Sequence, residues 1–291
     1  MGHADVVEGG GSTVAGVLDA AARVPGVRID RAGYLRSALK RYCTDEQIER
    51  AVVVGPAAAG VPPEVVDAAA RTSIAFETTR VTGLSTLAGL PGGLAVVGAV
   101  PADLAQYVGH MLRVAQKLAY LHSWPELFDE DADEVDEATQ GMLILFVGVM
   151  VGVHVAQNGV VRVAGMVAAN ATKRLPRQAL ARGVVYPVVK KVARQLGVRM
   201  SKTLFAHGVA KVVPVVGAVL SGGLTLGTFL PMSRRLQKHL ASLELTRPGP
   251  RGPGAGAPGP VAVAVTTDRA ALDAAPRHGE PRVDGDLRPT S

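Results

Sequence analysis

Cysteine is nearly missing from this chain. Cys43 stands alone among 291 residues, so no disulfide closes within the chain and no multi-cysteine metal site forms. A lone cysteine of this kind reads as a small buried hydrophobe. Aromatic residues make up only 4% of the sequence. Its apolar content is instead mostly Ala, Val and Gly, small residues that suit close helix packing better than aromatic-lined pockets. Charge is also sparse, at 19% against about 25% in an average domain, which is the opposite of a disordered composition. The most informative gap is in the carboxylates. None occurs between Glu137 and Glu244, a stretch that carries fourteen basic residues from Arg162 to Lys238.

Just before that gap lies an acidic cluster from Glu126 to Glu137, including Asp129, Glu130, Asp131, Asp133, Glu134 and Asp136. The formal net charge is +6. A one-signed field of this extent favours an anionic partner, either lipid headgroups or nucleic acid. The competing reading is internal, with the acidic cluster neutralising part of the basic half. Single-strand nucleic-acid binders interleave aromatics with their cations, but only Tyr186 and Phe205 fall between 162 and 211. No helix-turn-helix, finger or RNA-binding motif is visible, so nucleic acid ranks last.

The apolar spacing is helical throughout, and no period-2 alternation is long enough for a sheet. The expected fold is all-α: one multi-helix bundle over 25–245, with Gly-rich apolar helices. A flexible N-terminal arm is expected at 1–24 because of Gly9-Gly10-Gly11, and a disordered Pro/Gly-rich tail at 246–291. The first 18 residues lack the basic start and apolar run of a secretory signal.

Asp30 is placed to cap a helix running through Arg41. Thr44 with Gln47 forms a capping box for the next, which would stop at Gly55. Pro62-Pro63 opens a helix to about Val81, and Pro101 one to about Leu121. The acidic cluster feeds a helix over about 135–155, where carboxylates favour the macrodipole. Further helices are expected at 159–172, 175–182, 185–196 and 199–207. An apolar segment then leads to about Phe229 and a last helix at 233–243.

Three stretches are long enough to span a bilayer: 81–102, 141–161 and 212–233. The first and last are interrupted by Pro and Gly, and the middle one carries His154 and Asn158. Each holds a GxxxG spacing: Gly89–Gly93, Gly148–Gly152 and Gly223–Gly227. That spacing permits close helix crossing in lipid and equally in a soluble core. Burial in a bundle is favoured over spanning.

On a helical wheel Val188, Val189, Val192, Ala193, Leu196 and Met200 share one arc, with Arg199 an exception on it. Lys190, Lys191, Arg194 and Lys202 fall on the other. A basic amphipathic helix suits a headgroup layer, although it also suits the solvated outside of a bundle. The missing carboxylates favour an anionic partner, and these four residues are the candidate contact.

Catalytic and cofactor signatures are not found. There is no GxxxxGK[ST] phosphate loop, no GxGxxG, no GxSxG elbow and no HExxH. His110, His122, His154, His207 and His239 show no metal-ligand spacing. No catalytic, cofactor or metal residue is therefore assigned.

Several blocks carry a family likeness. They are Thr82-Gly83-Leu84-Ser85-Thr86-Leu87-Ala88-Gly89-Leu90-Pro91-Gly92-Gly93-Leu94, Val100-Pro101-Ala102-Asp103-Leu104, Gln116-Lys117-Leu118-Ala119-Tyr120-Leu121 and Lys211-Val212-Val213-Pro214-Val215-Val216-Gly217-Ala218-Val219. In this order the chain resembles the EcsC family of bacterial proteins over roughly 30–243. The resemblance implies a helical fold and, since the namesake is encoded beside an ABC transporter, a link to transport. It supplies no catalytic residues. The sequence departs from the family pattern at Leu224-Thr225, near where relatives carry an Asn.

The leading expectation is a cytoplasmic accessory protein on the inner face of the cell membrane, whose partner is an anionic membrane surface or a membrane protein complex. Its rivals are an integral protein with Gly-rich spans and a small-molecule-binding protein or enzyme with an unrecognised pocket.

Overall fold

A computed structural model describes residues 5–88, 96–128, 134–169, 174–210 and 214–246. Among them the fold is all-α, with ten packed helices and no strand. The helices are α1 (Asp5–Ala22), α2 (Arg31–Leu39), α3 (Asp45–Val54), α4 (Pro63–Ala88), α5 (Val96–Leu121), α6 (Glu137–Val151), α7 (His154–Ala169), α8 (Arg177–Ala181), α9 (Tyr186–Ala210) and α10 (Pro214–Ala241). A 3₁₀ turn, Glu244–Thr246, follows.

The caps explain several boundaries. Asp30 accepts hydrogen bonds from the amides of Ala32 and Gly33 and starts α2. The Thr44 hydroxyl accepts from the Gln47 amide and starts α3, as in half of a capping box. The Gln47 side chain does not return the bond, because its amide donates instead to the Gly60 carbonyl. Helix α3 ends at Gly55, with φ of +88°.

The architecture is organised around α6. Twelve of its residues between Ala138 and Met150 are buried, so it is apolar on every side, the pattern of a helix at the centre of a core. It packs against α1, α5, α7, α8, α9 and α10. Its far end explains why 141–161 is not one long helix. Gly152 takes left-handed torsions, φ +83° and ψ +34°, and its amide closes onto the carbonyls of Gly148 and Val149. The chain then restarts as α7. The two glycines of the Gly148–Gly152 pair thus have different tasks: one ends the helix, the other allows close packing.

Helices α4 and α10 run antiparallel, since Gln237 near the end of α10 donates to Asp67 near the start of α4. Helix α5 joins them, with Tyr107 edge-on to Phe229 of α10. Among the described residues no helix is long and apolar enough to cross a membrane.

Several expectations change, among them the end of the helix expected to stop near Val81, which α4 carries on to Ala88. The segment expected as a flexible arm forms α1, which buries Val14, Leu18, Ala21 and Ala22 against the bundle. Three glycines cost roughly 1 kcal/mol each in a helix, and burial of this stripe outweighs them. Helix α5 begins at Val96 rather than at Pro101. The two helices expected on either side of Gly197 are the single α9. The apolar segment and the last helix are the single α10, with Pro231 inside it on the exposed side. The tail expected from 246 lies, from 247 onward, outside the described residues, as do Gly89 and Gly93. Cys43 is partly buried against the core, and burial pushes its thiol pKa up.

Close packing at α6 gives a direct test. A Cβ on Gly148 would stand 2.6 Å from Val192 Cγ1 and 2.7 Å from Ala156 Cβ. Gly148→Ala is expected to lower stability to urea by about 1–3 kcal/mol, despite its gain in helix propensity. Gly165 on α7 meets nothing within 4 Å, so Gly165→Ala is expected to hold or raise the same midpoint.

Candidate functional site

The candidate basic face lies on α9. The apolar arc of that helix is spent on the core: Val189, Val192, Ala193 and Leu196 are buried and Val188 is partly so. Glycines let it come close. Val189 abuts Gly141, Val192 abuts Gly148 and Val188 abuts Gly159. Lys190, Lys191 and Arg194 therefore project outward and are exposed. Lys202 belongs to the same helix, with its side chain outside the described set, as are those of Arg199 and Met200.

Lys190 sits over the Tyr186 ring with its ammonium 5.0 Å from the centroid. Two large apolar residues are exposed nearby in sequence, Val184 at 65% and Val198 at 59%. Lys191, Arg194 and Val198 follow one stripe at i, i+3 and i+7.

Among the described residues the internal neutralisation considered from the sequence occurs at one point. Asp136 caps α6, accepting from the amides of Ala138 and Thr139, and receives Arg177 Nη1 at 2.6 Å. Burial alone would raise its carboxyl pKa, but the bonds from Thr139 and Arg177 prevail and lower it. Among the described residues Arg177 is the only one of the fourteen basic residues with a carboxylate partner. Arg235 turns its guanidinium to the Met150 carbonyl at the end of α6, where a cation favours the macrodipole.

A second polar centre was not foreseen. Glu77 of α4 is completely buried, its side chain 0% exposed. Its Oε1 accepts from Lys117 Nζ at 2.5 Å and Arg113 Nε at 3.1 Å. Its Oε2 accepts from His110 Nδ1 at 2.8 Å and Arg113 Nε at 3.2 Å. The three partners recur at i, i+3 and i+7 on one face of α5. Beside them the Tyr34 hydroxyl and Ser73 Oγ share a 2.7 Å hydrogen bond.

Burial by itself raises the Glu77 pKa. The hydrogen bonds from His110 and Lys117, with the charges of Lys117 and Arg113, outweigh it and hold the carboxyl down at about 2. Burial, together with the charges of Arg113 and Arg80, lowers the Lys117 pKa against the bond and charge of Glu77, which raise it. The sequence signal for this centre was slight: cations spaced along one face of a helix whose other residues are apolar.

Among the described residues no group of three or more His, Cys, Asp and Glu could hold a metal ion. A surface notch of about 280 Å³ lies at the turn after α1, lined by residues including Arg23, Gly26 and Arg28. Comparisons of the chain with family models, curated proteins and solved structures find no match.

Replacing Glu77 leaves the buried Lys117 and the partly buried Arg113 without their counter-charge. Glu77→Gln is expected to cost about 3–5 kcal/mol of unfolding free energy. The pH dependence has a definite sign. A carboxyl held at about 2 in the fold and near its ordinary 4.5 when unfolded contributes stability above pH 4.5. That contribution is lost as the pH falls through about 2. Urea midpoints measured between those limits are expected to fall for the wild type, with this component missing in Glu77→Gln.

Proposed function

We propose that this protein is a membrane-peripheral helical accessory protein that docks on an anionic membrane surface through the outer face of α9. The observation that carries the reading is the arrangement of that helix. Its apolar arc is buried in the core, and Lys190, Lys191 and Arg194 point outward with no carboxylate partner among the described residues. Because the apolar arc is already used, attachment is mainly electrostatic, with Val184 and Val198 adding limited apolar contact. The resemblance of its sequence blocks to the EcsC family supports a role beside a transport system on the inner face of the membrane.

Flotation with vesicles containing phosphatidylglycerol tests the contact. Each basic residue near such a surface adds about 1 kcal/mol. The combined variant Lys190→Glu, Lys191→Glu, Arg194→Glu, Lys202→Glu is expected to weaken binding by ~100-fold or more at low salt. Wild-type binding is expected to fall steeply as salt shortens the screening length. Binding unchanged by the four reversals would exclude α9 as the contact.

A further inference from the structure

The Glu77 centre carries more positive charge than its carboxylate neutralises. Arg113 and Lys117 both bind Glu77, and Arg80 lies one turn further along α4, close enough to lower the Lys117 pKa by charge repulsion. Leaving His110 aside, Arg113 and Lys117 share one carboxylate, and Arg80 is a further cation near Lys117. The acceptor capacity of the carboxylate is also spent. Oε1 takes Lys117 and Arg113, and Oε2 takes His110 and Arg113, which fills the four lone-pair positions of a carboxylate.

The remaining donors turn to aromatic faces. Lys117 has three N–H groups and one acceptor among the described residues, and its Nζ lies 5.0 Å from the Phe76 ring and 5.7 Å from that of Tyr34. Arg80 lies 5.6 Å from the same Phe76 ring and has no carboxylate partner among the described residues. Phe76 itself is 52% exposed. Around it the outer stripe of α4 consists of Arg71, Thr72, Ala75, Thr79 and Arg80, with no acid.

We propose that this side of α4 is a binding site for a phosphoryl group, held by the exposed Arg80, with the buried Lys117 ammonium adding charge beside the same Phe76 ring, which forms its apolar wall. A phosphate monoester brings a charge of about −1.5 to −2 and three acceptor oxygens. That matches the surplus positive charge and supplies acceptors to the Arg80 guanidinium in place of water. A singly charged carboxylate or chloride satisfies neither in full. The phosphoryl group belongs to a free phosphate or to a lipid headgroup. The exposed ring of Phe76 is placed to meet either an organic substituent or the acyl boundary below a headgroup. This site stands apart from the α9 face, since α4 packs on α5 and α10 whereas α9 packs chiefly on α1, α6 and α7.

The test uses the full chain and two probes. In the first arm, inorganic phosphate is titrated at constant ionic strength and followed by phosphorus NMR. In the second, flotation compares phosphatidic acid vesicles with phosphatidylglycerol vesicles of matched charge. Arg80→Gln is the informative variant, because Arg80 is exposed and does not hold Glu77. It is expected to weaken binding by roughly tenfold or more, with Arg80→Lys intermediate.

Arg71→Gln, on the same stripe with the same loss of charge, is expected to bind as the wild type does. So is the α9 charge-reversal variant in the phosphate arm, which separates this site from the proposed membrane contact. Saturable phosphate binding weakened by Arg80→Gln supports a free phosphate compound as the source. Preference for phosphatidic acid, lost in Arg80→Gln without free phosphate binding, supports a headgroup. Equal loss in Arg71→Gln, or no Arg80-dependent effect in either arm, overturns the proposal.

Discussion

An ionised carboxylate removed wholly from water must find its compensation inside the protein, and Glu77 finds all of it on one face of α5. That requirement fixes the rotation and height of α4 against α5, because three partners spaced along two turns cannot follow a slip of either helix. The same pair then presents Asp67 and Tyr107 to α10, which bonds to one through Gln237 and meets the other edge-to-face through Phe229. The region around the centre is held by directed bonds rather than by bulky side chains. This suits a composition with few aromatics, where shape alone specifies a unique packing less strongly.

The opposite side of the bundle is built differently. Helix α6 has no polar face to orient it, and small residues set its neighbours at close range. Gly141 and Gly148 admit Val189 and Val192 of α9, and Gly159 of α7 admits Val188. Packing so consumes the apolar arc of α9 and leaves its cations to solvent. The basic face is thus a product of core packing as much as of sequence charge. A helix free to lay its apolar side in lipid would bind by burial. This one is committed to the core, so the contact proposed for it with a membrane is a matter of charge.

Much of this was legible in the sequence wherever the determinant was local. Asp30, Thr44 and Gly55 act within one turn of the helix ends that they define, and each does so in the structure. The two arcs of α9 also follow from spacing alone, with Val189, Val192 and Leu196 inside and Lys190, Lys191 and Arg194 outside. What escaped depends on distant neighbours. Glu77 meets partners 33 to 40 residues away, and nothing around it in sequence distinguishes it from a solvated glutamate. Helix α1 was obscured by Gly9-Gly10-Gly11, since propensity says nothing of the surfaces that receive Val14 and Leu18. The continuity of α10 through Pro231 likewise reflects support from α4 and α6 rather than the preference of its residues.

The central proposal is attachment to an anionic membrane by surface charge, with no helix among the described residues long and apolar enough to span it. Fractionation of the protein in its host, with membranes washed first in high salt and then in alkaline carbonate, tests this most directly. The account predicts that the protein sediments with membranes and is released by the salt wash, because screening removes exposed charge contacts. Recovery wholly in the soluble fraction, or retention through both washes, would contradict it.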